Sequence, residues 1–134
     1  MAEGNMFRLK IITPDRVFYE GEASMAEMST TDGEIGIYKN HVPTTFILLP
    51  GVLTIHEAEG EKMAALHSGF VEVLLDQVTV LAEAAEWPDE IDMDRAERAR
   101  ARAEERIHDH ADGINQMRAE LALRRSLTRI RVGR

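Results

Sequence analysis

The sequence predicts two structural units in series, an all-β sandwich or barrel followed by an antiparallel α-helical hairpin. In the first two thirds of the chain, short apolar runs recur about every 8 to 12 residues with Gly, Pro or Asp between them, as in all-β domains. After residue 91 the β-branched residues nearly vanish, and Ala and Arg dominate, as in helices. The length of 134 residues suits one domain with an appendage too small for a core of its own.

The strands are predicted from apolar runs that end at turn residues. Phe7, Leu9 and Ile11 alternate with charged residues, which is typical of a half-buried strand, and this strand ends before Pro14. Further strands are predicted within the runs 17–19, 23–29, 35–37, 45–49, 52–56, 63–66, 71–75 and 78–81. Asp32-Gly33 is a turn signal between two of them.

The helices are predicted from their capping residues. Asp92 is a good N-cap, and Ile91 before it is placed to pack on Ala96 as a hydrophobic staple. We expect the first helix to end near residues 111–113 and the second to run from about residue 114 to 130. Two helices joined by a tight turn form an antiparallel hairpin.

Apolar stripes on the two helices predict what each face contacts. The stripe on the first helix is narrow and mostly alanine, so that a partner helix can approach closely: Ala96, Ala99, Ala103, Ile107. The second helix carries two apolar stripes: Ile114, Met117, Leu121 and, on another face, Leu123, Leu127, Ile130. We expect the first of these to meet the partner helix and the second to meet the β unit or another protein.

Charge is divided unequally along a chain whose net charge is −8. Residues 1–90 carry 16 acidic and 5 basic side chains, whereas residues 91–134 carry 8 acidic side chains and 11 basic ones, all Arg. The two parts are therefore expected to meet different partners. The absence of cysteine excludes disulfides, thiolate zinc sites and a Cys nucleophile. No apolar run approaches the roughly 20 residues of a membrane span, so neither membrane insertion nor export is expected.

Catalytic motifs are missing from the sequence. It contains no phosphate-binding G-x-x-x-x-G-K-[ST], no G-x-G-x-x-G, no H-E-x-x-H and no G-x-S-x-G. The five histidines are scattered, and the carboxylates of the β unit are spread over loops and turns. We therefore expect neither a metal site nor a catalytic site of the chain's own.

Arginines of the hairpin are the strongest candidates for ligand binding. Arg95 and Arg102 lie two turns apart on one face and could converge with Arg125 and Arg129 of the antiparallel helix. Four guanidinium groups in one cleft would suit a polyphosphate. The alternative, which is the commoner situation for surface arginines, is that each reaches water or pairs with a carboxylate of the hairpin: Glu97, Glu104, Glu105, Glu120.

Motifs along nearly the whole chain resemble one family, the epsilon subunit of bacterial F-type ATP synthase. The resemblance is carried by the segments Gly33-Glu34-Ile35-Gly36-Ile37-Tyr38, Asn40-His41-Val42-Pro43, 51–53, 68–73 and 78–86, and it extends from about residue 7 to residue 132. It implies an α+β fold, in which a ten-stranded β-sandwich over residues 1–86 precedes a helix-turn-helix hairpin over residues 87–134.

The resemblance also implies a function and partners. The protein would be a non-catalytic central-stalk subunit, at the cytoplasmic face of the cell membrane, that helps couple ion-driven rotation to ATP synthesis. Its sandwich would bind the gamma subunit and the c-subunit ring, with the loops around Glu34 and His41 at the ring-facing end. Its hairpin would permit turnover when compact and would block ATP hydrolysis when extended into the alpha/beta catalytic head. No cofactor is required, and ATP would be a regulatory ligand.

An ATP-binding pattern of some family members, I/L-D-x-x-R-A, stands here at residues 91–96. By resemblance, Ile91 and Asp92 would recognise the adenine end, with Ala96 packing beside it. The phosphates would be held by four arginines, and Glu86 would contribute: Arg95, Arg102, Arg125, Arg129. The sequence departs from the pattern at Ser126, where ATP-binding relatives usually carry Ala, and at Trp87 beside Glu86.

Two other functions are compatible with the residues alone. One is a free-standing β-sandwich sensor or adaptor, outside a synthase, that binds a nucleotide or an acidic partner through its hairpin. The other, nucleic-acid binding by the Arg-rich helices, is poorly supported because the domain is acidic overall and Lys is scarce.

Overall fold

Ten β-strands precede two α-helices in the computed structural model, which describes residues 2–109 and 113–134. A β-sandwich followed by a two-helix hairpin is the fold that the sequence predicts, and that prediction is confirmed. The strands are β1 (Phe7–Thr13), β2 (Arg16–Ala23), β3 (Met25–Thr30), β4 (Gly33–Tyr38), β5 (Thr44–Leu48), β6 (Gly51–Glu57), β7 (Gly60–Leu66), β8 (Gly69–Val73), β9 (Gln77–Ala82) and β10 (Ala85–Glu86). The helices are α1 (Met93–His108) and α2 (Gly113–Gly133), and short 3-10 helices cover Ala2–Asn5 and Pro88–Glu90.

The strands form two layers of five. One layer has the order β4-β3-β6-β7-β10 and the other β5-β8-β9-β1-β2. A single residue pair, Thr30 with Leu48, joins β3 of the first layer to β5 of the second. Among the described strands, β1 and β9 form the one parallel pair, and all other pairs are antiparallel.

Alternation along β1 shows how the sequence forms the core. Phe7, Leu9 and Ile11 are buried, whereas Arg8 and Lys10 between them point outward. Because successive side chains of a strand face opposite sides, this alternation places one face of β1 in the core, as predicted. The largest fully buried apolar side chains come from both layers: Phe7, Leu9, Ile11, Met28, Ile37, Leu48, Leu53, Ile55, Leu66, Val71, Val73.

Two glycines meet backbone requirements of the sandwich. Gly33 follows Asp32 in the predicted turn between β3 and β4 and adopts φ +105°, a conformation that other residues rarely adopt. At Gly69 a Cβ atom would lie only 2.0 Å from the carbonyl oxygen of Leu81. Glycine therefore allows β8 to approach β9 closely at this point.

The predicted N-cap of the hairpin is confirmed. The Asp92 carboxylate Oδ1 accepts a hydrogen bond of 3.1 Å from the backbone N–H of Arg95, and α1 begins at the next residue after Asp92. This bond satisfies one of the unpaired amides of the first turn. The predicted end of the first helix near residues 111–113 falls partly outside the described residues, since 110–112 are not described. α2 begins at Gly113 and continues to Gly133, three residues beyond the expected end.

The face that α2 presents to α1 differs from the prediction. Met117 and Leu121, which were expected to meet the partner helix, are 66% and 36% exposed, and the side chain of residue 114 is outside the described set. Instead, Ala119 and Ser126 are buried, on the same face as Gly133, whose Cβ position lies beside Met93 of α1.

The size of the side chains explains this choice. The α1 seam consists of small residues, including buried Ala96 and Ala103, so the partner helix approaches closely only through small side chains of its own. Met117 and Leu121 instead border a groove of about 700 Å³ between α2 and the sandwich. The second predicted stripe behaves as expected in part, because Ile130 is buried while Leu127 is 47% exposed.

The hairpin is compact and lies on the sandwich through α2, which packs against β6 and β7. Arg124 donates a hydrogen bond of 2.6 Å from Nε to the carbonyl oxygen of Pro50. The connection between the units is fixed by Trp87, whose ring stacks on Phe18 of β2 with centroids 4.2 Å apart. Within the described residues, none of the helices has the length and apolar character needed to cross a membrane.

Candidate functional site

A cleft of about 410 Å³ lies between the two helices and the end of the sandwich. The antiparallel packing of α1 and α2 brings residues from both helices to its walls, and β10 supplies the end nearest the sandwich. Its lining residues are Glu86, Glu90, Asp92, Arg95, Ala96, Ala99, Arg102, Ala103, Arg106, Ala122, Arg125 and Arg129.

The residues predicted for the nucleotide site are therefore brought together, with one exception. All four arginines chosen for their spacing line the cleft, as do Glu86, Asp92 and Ala96. Ile91 is half-buried just before the N-cap and is not among the lining residues. The cleft is more polar than the groove on the other side of α2, and its walls combine guanidinium groups with a floor of alanines.

Most of the cleft arginines have no carboxylate partner. Within the part of the chain that the structure describes, Arg95, Arg102 and Arg125 form no ion pair. Two of the four glutamates that were considered as their partners pair elsewhere: Glu97 and Glu104 both pair with Arg100, at 3.4 and 2.9 Å. Five arginines line the cleft against three carboxylates, and this excess of positive charge favours an anionic ligand.

Glu86 is the anion at the sandwich end of the cleft. Its Oε1 accepts hydrogen bonds from His67 Nε2 at 3.1 Å and from Arg129 Nε at 2.7 Å. The hydrogen bond from His67, followed by the bond and charge of Arg129, outweighs the effect of burial and lowers the pKa of Glu86 to about 2. Glu86 is therefore ionised at neutral pH and links β7, β10 and α2.

Asp92 and the two departures from the family pattern have structural roles. Asp92 caps α1, so its carboxylate is already an acceptor for a backbone amide. The Ser126 hydroxyl donates a hydrogen bond of 2.8 Å to the carbonyl oxygen of Leu123 in the same helix. The side chain of Ser126 is buried, and its hydroxyl hydrogen is therefore already used within α2. Trp87 packs on the sandwich core rather than lining the cleft.

Three residues near the cleft were not predicted. Arg106 lies four residues after Arg102, so continued helical spacing was a usable signal for it. Glu90 reaches the cleft from the 3-10 helix, where it also pairs with Arg16 at 2.9 Å. His67 touches Glu86 because β7 pairs with β10, a long-range contact that no local pattern reveals.

Glu34 and His41, expected together at a ring-facing end, are not brought together. Glu34 follows the β3–β4 turn at the start of β4 and borders the groove beside α2. His41 follows the opposite end of β4, and the backbone N–H of Asn40 just before it donates to Leu75. The length of β4, about 3.4 Å per residue, separates the two. The contact of either residue with a c-subunit ring stays a prediction.

The outer face of one sandwich layer carries an apolar row that crosses five strands. Cross-strand pairing aligns its members side by side: Ile47, Phe70, Leu81, Ile12, Val17. Four of them are well exposed, from 37% at Leu81 to 61% at Ile47. A continuous exposed apolar strip of this kind is typical of a protein interaction surface. No group of described His, Asp or Glu side chains is arranged to hold a metal ion.

Comparison of the sequence with protein families gives matches over both units. Residues 6–88 match the model of the ATP synthase delta/epsilon chain beta-sandwich domain, and residues 89–133 match that of the delta/epsilon chain long alpha-helix domain. Relatives named ATP synthase epsilon chain include the following three. The protein of Caldanaerobacter subterraneus subsp. tengcongensis is 44% identical over 94% of this chain and 92% of its own. That of Clostridium novyi is 44% identical over 92% and 95%, and that of Syntrophomonas wolfei is 42% identical over 98% and 96%.

Solved structures share the fold. A chain in the cryo-EM structure of the Euglena gracilis mitochondrial ATP synthase OSCP/F1/c-ring superposes with a TM-score of 0.79 at 21% identity, covering 92% of this chain and 78% of that one. A chain of the Tetrahymena thermophila mitochondrial ATP synthase central stalk/c-ring gives 0.66 at 13% identity, covering 96% of each. At these identities the likeness concerns the fold.

Proposed function

Because this chain belongs to the ATP synthase delta/epsilon chain family, we propose that it is a non-catalytic central-stalk subunit with an ATP-sensing hairpin. In this role it helps couple ion-driven rotation to ATP synthesis from ADP and phosphate, as a peripheral subunit at the cytoplasmic face of the cell membrane. The compact hairpin binds ATP, and the extended hairpin inhibits ATP hydrolysis in the alpha/beta head. The observation that carries the sensing role is the convergence of unpaired arginines from both helices on one cleft.

Binding to the stalk is supported by the apolar row on the sandwich. Its exposed members form one strip across β5, β8, β9, β1 and β2, and burial of such area contributes about 25 cal/mol per Å². We assign this strip to the gamma subunit. The c-subunit ring is then left to an end of the sandwich, and Glu34 and His41 offer two different ends for it.

The chemistry of the cleft supports a polyphosphate ligand. Guanidinium groups donate paired hydrogen bonds to phosphate oxygens, and here they come from both α1 and α2. A ligand held by Arg95 and Arg102 on one helix and Arg125 on the other would bridge the two helices. It would therefore stabilise the compact hairpin, because the extended hairpin does not keep these arginines together.

The size of this effect is sufficient for a switch. A ligand that binds only the compact state stabilises it by about 2.7 kcal/mol at a hundredfold excess over its dissociation constant. The α1 seam is mostly alanine and buries little apolar area, so the two states are expected to differ by a small free energy. ATP abundance then keeps the hairpin compact, and ATP depletion releases it.

Isothermal titration of the full-length chain with ATP tests the sensing role. We expect binding in the wild type and a loss of about ten- to a hundredfold in affinity in Arg95→Gln and Arg125→Gln, since each removes a charge-assisted contact. Arg98→Gln is the matched control, because Arg98 is an exposed arginine of α1 outside the cleft. No heat at millimolar ATP, or equal effects of all three variants, would contradict the proposal.

Deletion of residues 91–134 tests the inhibitory role in the assembled complex. The sandwich retains its own core without them, so assembly should persist while ATP hydrolysis rises. If the deletion instead abolishes assembly, the hairpin is a structural element and not an inhibitor.

Co-purification tests the stalk surface. Phe70→Lys places a charge in the middle of the apolar row and should release the subunit from gamma, whereas Met63→Lys, on β7 of the other layer, should not. Retention of gamma by Phe70→Lys would exclude this strip as the contact.

A further inference from the structure

His67 is a buried ionisable side chain that the proposed nucleotide site does not use. It follows β7, is only 1% exposed, and its backbone N–H donates to the carbonyl oxygen of Ala84. Its Nε2 lies 3.1 Å from Glu86 Oε1, while its Nδ1 has no hydrogen-bond partner among the described residues. Because the ionised Glu86 carboxylate only accepts, Nε2 carries the hydrogen and donates it. The side chain of this buried histidine therefore makes its one hydrogen bond to Glu86, an acidic residue of the cleft.

His67 and Arg129 share the Glu86 carboxylate as their hydrogen-bond acceptor. Both donors use the same carboxylate oxygen, Oε1, and Arg129 approaches it through Nε at 2.7 Å. An arginine alone with a carboxylate commonly forms two parallel bonds, which would occupy a whole edge of the guanidinium. Here the contact is a single bond, so the terminal nitrogens of Arg129 are left without a bond to Glu86.

We propose that His67 is a positioning residue of the arginine cleft: it holds Glu86 from the sandwich side, so that Arg129 engages Glu86 through Nε alone and keeps its terminal nitrogens for a ligand phosphate. The proposal rests on the nucleotide site proposed above, and it assigns a role to a residue of the sandwich in a site otherwise built by the hairpin. Without His67, Glu86 would compete with the phosphate for Arg129.

A carboxyl titration tests the first half of this role without any ligand. The side-chain carbon of Glu86, assigned with Glu86→Gln, is followed by NMR between pH 7 and pH 2 in the full-length chain. The groups that face Glu86 are His67, Arg129 and Glu90. Glu90 is itself paired with Arg16. In Arg129→Gln we expect Glu86 to titrate still below the usual range of a glutamate, because His67 remains. A return to the usual range in Arg129→Gln alone would overturn the proposal.

ATP titration tests the second half. His67→Phe fills the buried site without a donor and should weaken ATP binding by about tenfold, the loss of one hydrogen bond to a charged group. His67→Gln restores an N–H donor and should bring the affinity back to within about threefold of the wild type. Equal affinities in all three chains, or equal losses in both variants, would overturn the proposal. Thermal melting of His67→Gln shows whether a loss reflects unfolding.

The carboxyl titration and the ATP titration together distinguish a failure of this inference from a failure of the proposed function. A wild-type chain that binds no ATP contradicts the ATP-sensing hairpin and the ligand half of this inference together. The carboxyl titration still decides in that case whether His67 holds Glu86 independently of Arg129. Arg125→Gln is its control, since Arg125 lines the same cleft but forms no ion pair with Glu86.

Discussion

The sandwich and the hairpin are stabilised by side chains of different size. The sandwich buries large apolar residues from both layers, such as Leu9 and Leu53, at zero exposure. The two helices meet through small residues, among them buried Ala103 and Ala119. Because stabilisation by burial follows apolar area, at about 25 cal/mol per Å², the sandwich has a core of its own whereas the helix seam contributes little.

The hairpin is attached to the sandwich by a small number of contacts. Apart from packing of α2 on β6 and β7, the attachment includes the hydrogen bond from Arg124 to Pro50 and the ion pair of Arg129 with Glu86. A few polar contacts can be exchanged for others without disturbing a large core. This difference is the physical basis on which the proposed movement of the hairpin would leave the sandwich unchanged.

The largest effect on stability is expected from a substitution in the core of the sandwich. Leu9→Ala removes a fully buried side chain of β1 and should lower the free energy of unfolding by about 3 kcal/mol, within the usual range of 2 to 5 for such changes. Leu127→Ala, on the hairpin and 47% exposed, should cost well under half as much. Urea denaturation followed by circular dichroism measures both. Similar losses would mean that the hairpin shares the core.

A second prediction concerns pH and the link between the units. The pKa of Glu86 is lowered from its usual value of about 4.5 to about 2 in the folded chain, chiefly by the hydrogen bond from His67. The ionised form therefore stabilises the fold fully above pH 4.5, and this contribution is lost as the pH falls from 4.5 to 2. Because the Glu86 side chain is 26% exposed and water screens its charge, this contribution amounts to at most about 3 kcal/mol.

Glu86→Gln tests this prediction. The variant should be less stable than the wild type at pH 6, and the difference should shrink toward pH 2, as measured by urea unfolding at a series of pH values. Glu34→Gln, at an exposed position, is the control and should follow the wild type. A difference that is independent of pH would contradict the assignment.

A smaller effect is expected at the start of the hairpin. Asp92→Ala removes the N-cap of α1 and should cost about 1 kcal/mol, whereas Asp92→Asn, which preserves a capping acceptor, should cost less. Hydrogen exchange of the first-turn amides of α1 measures the local loss. If Asp92→Asn keeps the cap and still weakens ATP binding, the carboxylate charge contributes to the ligand site as well.

The smallest effect is expected at Trp87, the single tryptophan of the chain. Its stacking on Phe18 and its edge contact with Tyr19 tie it to β2, although it stands at the entrance to the hairpin. Its fluorescence should therefore change little when residues 91–134 are deleted and should change fully when the sandwich unfolds in urea. A large shift upon deletion would place Trp87 with the hairpin.

Local patterns predicted the parts of the fold that depend on neighbouring residues. The buried face of β1 was predictable because apolar and charged residues alternate in the sequence and successive side chains of a strand face opposite sides. The cap at Asp92 was predictable because Asp is a preferred residue before the unpaired amides of a first helical turn. The ten-strand count came from the family resemblance, because β10 has only two residues and no periodicity of its own.

The remaining features depend on contacts distant in sequence. The apolar stripes of α2 do not show which of its faces meets α1. Ala119 and Ser126 lie at this contact because the small alanines of α1 pack closely only against small side chains. Four of the five cleft arginines were predicted as neighbours because helical spacing and antiparallel packing fix their positions. The partners of Glu86 could not be predicted in the same way, since His67 reaches it only through the pairing of β7 with β10.

The parallel pairing of β1 with β9 has a consequence for synthesis of the chain on the ribosome. Arg8 lies opposite Gln77, about 70 residues later, so β1 emerges long before its second neighbour exists. Until then it can pair only with β2, and the far edge of that hairpin stays open. Parallel, long-range pairings of this kind form slowly and leave an unpaired edge exposed meanwhile. Charged side chains on an open edge disfavour pairing with another strand, and β1 carries Arg8 and Lys10 on its outward face.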